Sequence, residues 1–162
     1  MARKIILITG GQRSGKSVFA ERTTLALCDT PVYVATAGIG DDEMAQRVAD
    51  HRARRGSAWT TIEEERRLSS LELAGNTVLV DCITMWLTNI FFAKHENTEQ
   101  TLCEFKAEFD RLIAQDATFV FVTNEIGCGG TSANMMQRAF TDALGIANIH
   151  IASAADEVYL LV

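Results

Sequence analysis

The sequence predicts an α/β fold in which a mostly parallel sheet carries helices on both faces, and three observations predict it. Short apolar runs of strand type alternate along the chain with amphipathic helical patterns. The strand runs are apolar at nearly every position rather than at every second one, as strands buried on both faces require. A glycine-rich turn, Gly10-Gly11-Gln12-Arg13-Ser14-Gly15-Lys16-Ser17, joins the first strand run to the first helical pattern.

In chain order, strands are expected at 4–9, 32–36, 77–81, 118–123 and 157–162, each rich in Val, Ile, Phe or Tyr and bounded by polar or turn residues. Helices are expected at 16–28, 42 to about 54, about 64–73, 83–94, 98–115 and 133 to about 149. The segment 98–115 has the clearest pattern. Leu102, Phe105, Phe109, Leu112 and Ile113 fall at i, i+3, i+7, i+10 and i+11 on one helical face, with Glu104, Lys106, Glu108 and Arg111 elsewhere. A length of 162 residues with 48% hydrophobic content suits one domain spanning 1–162, and there is no internal repeat or linker.

A formal net charge of −6 gives no general attraction to nucleic acid or an anionic membrane, so a small-molecule partner is favoured over a nucleic acid. Cys28, Cys82, Cys103 and Cys128 are scattered, without a C-x-x-C pair, and suit a reducing cytoplasm rather than a disulfide framework or zinc site. The apolar stretch 83–93 is interrupted by Thr84, Thr88 and Asn89 and falls short of a membrane span. A soluble cytoplasmic protein is expected.

The pattern G-x-x-x-x-G-K-[ST] is met in full by Gly10, Gly15, Lys16 and Ser17, between a strand and a helix. Its glycines let the backbone curl so that N–H groups point at phosphate oxygens. Lys16 brings a point charge to the outer phosphates, and the Ser17 hydroxyl suits Mg²⁺. The segment therefore reads as the P-loop of a P-loop NTPase-like fold that binds a nucleoside triphosphate. Such a site also needs a carboxylate at a neighbouring strand end, and Val78-Leu79-Val80-Asp81 has that form, which makes Asp81 the second metal candidate. Its competing role is an N-cap for the helix that follows. Asn124-Glu125 closes another strand but lacks the lysine of a guanine-reading N-K-x-D motif, which disfavours a switch-type GTPase.

In the helix from Asp42, carboxylates come first and cations last, an order that the helix dipole alone explains. Met44, Val48 and His51 lie on one stripe, with Arg52, Arg54 and Arg55 just beyond. Alone, His51 reads as a packed or capping residue beside a solvated basic face. In a triphosphate-binding chain, the arginines suit phosphates, and a neutral imidazole, with a reference pKa of ~6.5, is a competent nucleophile at phosphorus. Among the three histidines, His51 is therefore the catalytic candidate; His95 lies at a polar helix end, and His150 is flanked by isoleucines.

The chain resembles the bifunctional adenosylcobinamide kinase/adenosylcobinamide-phosphate guanylyltransferases of cobalamin biosynthesis. The resemblance rests on T-G-G-Q-R-S-G-K-S (9–17), V-A-T-A (34–37), D-D-E-M-A-Q-R-V (41–48) with H-R-A-R-R (51–55), Trp59 and Glu63, V-D-C-I-T-M-W-L-T-N (80–89), T-N-E-I-G-C-G (123–129) and A-D-E-V (155–158). It implies phosphorylation of adenosylcobinamide by ATP or GTP, then transfer of GMP from GTP to adenosylcobinamide phosphate through a guanylylated histidine, matched here by His51. It further implies nucleotide contacts at Gly10 to Ser17, at Ala35, Thr36 and Ala37, at Arg52, Ala53, Arg54 and Arg55, and at Glu63 and Asp81. Mg²⁺ and a homo-oligomer, a trimer, are implied in the same way. The chain departs from the family pattern after Gly129, where Gly130-Thr131-Ser132 replaces an apolar residue, Val and Pro. Residues alone leave two other readings open: a monofunctional P-loop kinase in which His51 only packs, and a regulatory ATPase module. Were the His51 helix to lie far from the P-loop, Gly38 and Gly40 would offer it a hinge.

Overall fold

The computed structural model describes residues 3–38 and 42–162. Gly40 and Asp41, named above in the hinge and in the D-D-E-M motif, lie outside the described residues. The elements run β1 (Ile5–Gly10), α1 (Lys16–Leu27), β2 (Val32–Ala35), α2 (Asp42–Arg55), β3 (Thr60–Glu63), β4 (Thr77–Asp81), α3 (Ile83–Ala93), α4 (Thr98–Ile113), β5 (Thr118–Asn124), α5 (Met135–Ala154) and β6 (Glu157–Leu161). The strands form one sheet in the order β3-β2-β4-β5-β1-β6, and every pairing is parallel. The expected α/β architecture is the one observed.

Strand alternation explains why helices cover both faces. Ile5, Leu7, Phe119 and Phe121 point into a core with Trp86 of α3, Phe105 and Phe109 of α4 and Leu144 of α5. Ile6, Ile8, Val120 and Val122 point the other way, onto Ala20 of α1 and onto Tyr33, Trp59 and Leu79. The first core is the larger, and Trp86, Phe105, Phe109, Phe119 and Phe121 are fully enclosed in it. Two helix starts follow from side-chain caps. Asn97 accepts a hydrogen bond from Gln100 N (2.9 Å) ahead of α4, and Asn134 accepts one from Gln137 N (3.0 Å), so α5 begins at Met135 rather than at 133.

Two expectations are corrected. The helix at 64–73 does not form; only a 3-10 turn, Leu68–Ser70, is present. The Glu64 carboxylate takes the N–H groups of Arg66 and Arg67, Glu108 of α4 takes that of Ser69 (3.0 Å), and Gln115 takes that of Leu73 (2.8 Å). Side chains distant in sequence thus satisfy the backbone donors that a helix would have used. Conversely, Thr60–Glu63, for which no strand is expected from sequence, forms β3 at the sheet edge, in register with β2.

Because the strands are parallel, their carboxyl ends share one edge. Gly10 is level with Asn124, and Ala35 with Asp81. The P-loop, the 35–37 segment, Asp81 and Asn124 therefore converge, at the edge where α/β sheets bind ligands.

Candidate active site

The P-loop curls through left-handed backbone at Arg13 (φ 58°) and Gly15 (φ 83°). A side chain at Gly10 would put its Cβ 2.5 Å from Ser14 Oγ and 2.8 Å from the Leu161 carbonyl of β6, so the close approach of loop and sheet requires glycine there. Gly15 caps α1 without a side chain, which leaves the first-turn N–H groups directed at the cleft. Lys16 Nζ donates to the Gly11 carbonyl (3.0 Å), one of its three donors.

Gln12 to Ser17 line a cleft of about 790 Å³, whose other wall is Arg47, His51 and Arg54 of α2, with Asn124, Glu125 and Ile126 closing the third side. A smaller cavity of about 250 Å³ adjoins it and brings Lys16, Ser17 and His51 together with Asp81, Arg52 and Arg55. His51 thus faces both spaces that the P-loop faces. The separation that would have called for a hinge is absent. The stripe Met44, Val48 and His51 lines the small cavity rather than packing in a core, and α2 contains no buried residue.

Asp81 is not the cap of α3; that position is Cys82, whose side chain makes no capping bond. One oxygen of the Asp81 carboxylate accepts a hydrogen bond from the Tyr33 hydroxyl (2.7 Å). Burial, reinforced by the Asp81 carboxylate, pushes the Tyr33 hydroxyl far above the ordinary phenol range, so it remains a donor. The Arg55 guanidinium lies over the Tyr33 ring, 3.4 Å from its centroid. Nε and Nη1 of Arg55 are buried and find no hydrogen-bond partner among the described residues, and the residue lines the small cavity: an unsatisfied guanidinium suited to an anionic oxygen. Burial also pushes the Cys82 thiol up to about 12, so it stays protonated and is no nucleophile or soft metal ligand.

The remaining expected contacts divide. Ala35 and Ala37 line the small cavity. Thr36 is fully buried between them, and its hydroxyl donates to Cys82 O (2.7 Å) and accepts from Cys82 N (2.9 Å), so it braces the start of α3 rather than facing the cleft. Glu63 is exposed and paired with Arg52 (2.7 Å). Ala53 lies on the exposed side of α2, away from both spaces. Sequence reasoning missed Arg47, which faces both spaces, and Tyr33, which holds Asp81. The i+4 spacing from Arg47 to His51 was a usable signal for the first.

For Mg²⁺, the chemistry of the donor set decides. Among the described residues no group of three or more His, Cys, Asp or Glu side chains can hold a metal. Mg²⁺ does not need one; it keeps waters and takes one or two protein oxygens together with substrate phosphates. Ser17 and Asp81, facing the same cavity as Lys16, fit that role.

Comparison with known proteins accords with this geometry. Residues 6–162 match the family model described as cobinamide kinase / cobinamide phosphate guanyltransferase. The chain is 39% identical to the bifunctional adenosylcobalamin biosynthesis protein CobU of Salmonella typhimurium, covering 98% of this chain and 95% of that protein. It is 37% identical to the bifunctional adenosylcobalamin biosynthesis protein CobP of Pseudomonas aeruginosa, over 94% of this chain and 89% of that one. To CobU of Escherichia coli it is 36% identical, over 98% and 95%. Two solved structures, flagellar accessory protein FlaH of Methanocaldococcus jannaschii and the ATPase domain of G40P, align at TM-scores of 0.46 and 0.47, covering 91% and 99% of this chain and 67% and 69% of theirs, at 15% and 13% identity; these likenesses are too distant to carry an argument. The chain belongs to the cobinamide kinase / cobinamide phosphate guanyltransferase family, and is an adenosylcobinamide kinase and adenosylcobinamide-phosphate guanylyltransferase of cobalamin biosynthesis.

Proposed function

We propose that both reactions use the phosphate cradle of the P-loop, with His51 as the residue that carries GMP between GTP and cobinamide phosphate. The observation that supports this reading is His51 facing the same two spaces as Lys16 and Ser17. In the kinase step, ATP or GTP lies with its outer phosphates against the P-loop N–H groups and Lys16, which stabilise the charge spread over the transferring phosphoryl group as the aminopropanol oxygen bonds to the γ-phosphorus, the bond from that phosphorus to the β–γ bridging oxygen breaks, the nucleoside diphosphate leaves and the hydroxyl proton passes to water. Ser17 and Asp81 would hold Mg²⁺, which would supply further charge neutralisation at the phosphates. Tyr33 keeps the Asp81 carboxylate in place.

In the transferase step the His51 imidazole attacks the α-phosphorus of GTP, a P–N bond forms, and the bond to the β-phosphate oxygen breaks. Pyrophosphate leaves against Lys16 and the α2 arginines. Arg55, with its unsatisfied N–H groups, takes a phosphate oxygen. A phosphate oxygen of adenosylcobinamide phosphate then attacks the same phosphorus, the P–N bond breaks, and adenosylcobinamide-GDP is released with His51 restored. The chain acts as one nucleotide-binding domain in the cytoplasm, with its four cysteines free as in the structure. A homo-oligomer, a trimer, belongs to the same reading: Val158 and Leu160 stand exposed on β6, the outermost strand at its side of the sheet.

The test is the intact mass after incubation with GTP and Mg²⁺. One covalent, acid-labile GMP is expected, absent in His51→Ala, while that variant retains cobinamide phosphorylation. Equal loss of both activities, or an adduct that persists in His51→Ala, rules out the assignment.

A further inference from the structure

Ile126 borders both the cleft along the P-loop and a second one, of about 890 Å³, formed by the turn after β5 and the outer side of α5. We infer that this second cleft seats the corrin macrocycle of the acceptor, so that one cleft takes the nucleotide and the other the corrinoid. The inference rests on the reading of the P-loop cleft as the nucleotide site.

The chemistry of the two linings differs as their ligands do. The P-loop cleft presents Lys16, Arg13, Arg47 and Arg54, cations fit for phosphates. The second presents Ile146 and Ile149, 41% and 70% exposed, together with the neutral donors and acceptors Thr131, Gln137 and Thr141 and a single carboxylate, Asp142, able to accept from a carboxamide N–H. Its one arginine, Arg138, is turned onto the Ser132 carbonyl (2.8 Å). A corrinoid is a broad apolar ring fringed with neutral carboxamides. It gains little from arginines and much from an apolar floor with a neutral polar rim.

Geometry supports the same pairing. The phosphoryl acceptor must come within about 3–3.5 Å of the phosphorus, so the macrocycle's tail lies in the P-loop cleft and its body outside. The cavity at Ser69 to Glu72 lies against Arg111 in the last turn of α4 and Gln115 just beyond it, and shares no lining residue with the P-loop cleft. The small cavity adjoining the P-loop, at about 250 Å³, is too confined for a macrocycle. The floor of the second cleft is also stripped of side chains: Cβ atoms added at Gly129, Gly130 or Gly145 would meet nothing within 4 Å. Gly145 lies within α5, without left-handed backbone, so neither strain nor crowding calls for glycine there. Open space for a flat ligand does.

Gly145 supplies the test, because a larger residue fills the cleft without disturbing the fold. In Gly145→Leu the KM for adenosylcobinamide in the kinase assay is expected to rise about tenfold or more, with the KM for GTP unchanged. Self-guanylylation from GTP, which needs no corrinoid, is expected to proceed as in the parent. Gly145→Ala is expected to keep the parental corrinoid KM and to melt no lower than the parent. Ile149→Asn, at an exposed position, is expected to raise the corrinoid KM severalfold and serves if the leucine variant folds poorly. An unchanged corrinoid KM in both Gly145→Leu and Ile149→Asn overturns the inference. So does a parallel rise in the GTP KM, or a change of oligomeric state by light scattering with the corrinoid KM intact, which would make this face a subunit contact. Absence of a GMP adduct in the parent would reject the His51 assignment while leaving the kinase readout of the corrinoid cleft standing.

Discussion

The two walls of the P-loop cleft are built in opposite ways. The P-loop wall grows from β1 and β5, whose side chains are enclosed on both faces of the sheet, and Gly10 admits the loop against β6 by lacking a side chain. The α2 wall has no buried residue. It is held at its last turns by Arg52 on Glu63, by Arg54 paired through two hydrogen bonds with Glu21, and by Arg55 over Tyr33. The P-loop therefore inherits its shape from the core, whereas the position of His51 depends on a few ionic and cation–π contacts close beside it. A mutation there can displace His51 without unfolding the enzyme.

The strongest way to sharpen that contrast is to cut each wall at its support. Phe109 is fully enclosed and contacts Phe105, Phe121 and His150, so Phe109→Ala is expected to destabilise the fold by about 3–5 kcal/mol. Val48→Ala, on the cleft side of α2, is expected to cost under about 1 kcal/mol. Chemical denaturation of both variants measures the difference; similar losses would mean that α2 belongs to the core after all.

A smaller effect is expected at the Arg54–Glu21 tie. Glu21 is largely buried, and Arg54 is partly exposed at 42% of its side chain. The carboxylate's two hydrogen bonds hold the guanidinium above even its own high pKa. Arg54→Met removes the bidentate partner and leaves Glu21 only partly hydrated, for about 1–2 kcal/mol. The cost should appear locally. Amide exchange in α2 should accelerate while β1 and β5 remain protected, and GMP transfer should fall more than kinase turnover. Uniform acceleration through the sheet would contradict the division of the cleft into a core-built and a tethered wall.

The same division explains what was legible in the sequence. The glycine-rich turn, Asp81 at the end of β4, and the strands and helices other than β3 and the 64–73 segment are local patterns, and each is found where local pattern places it. The candidacy of His51 came from residue type alone, and its place beside the P-loop was not legible, since only the fold brings α2 over that loop. Tyr33 reads as one more apolar strand residue; its hydroxyl finds Asp81 because β2 lies beside β4, in a register that sets Ala35 level with Asp81. β3 went unseen because it is four residues long at an edge, with none of its residues buried. The segment 64–73 was misread because the groups that satisfy its backbone, Glu108 and Gln115, come from about forty residues away.

That misread segment provides the mildest and most local test, at a second ionic tether. Arg66 donates from Nε (2.7 Å) and Nη2 (2.6 Å) to the two oxygens of Glu104 on α4, and Lys94 stands 3.6 Å away. The hydrogen bond from Arg66, with the charges of Arg66 and Lys94, holds the Glu104 carboxyl below the usual carboxylate range. A carboxyl depressed in the folded state stabilises the protein fully above its unfolded value, ~4.3, and that stabilisation is lost as pH falls through the folded value. Arg66 is 36% exposed at its side chain, so screening limits the contribution to roughly 1 kcal/mol or less. Thermal unfolding of the parent and of Glu104→Gln should therefore differ by a constant small margin above about pH 5 and converge on the acid side as the pH falls through the lowered folded value. Unlike the α2 tethers, this one fixes a loop to the core helix, so its loss should leave both KM values and the GMP adduct unchanged. A margin that widens on acidification would show that the pair is not what holds the loop.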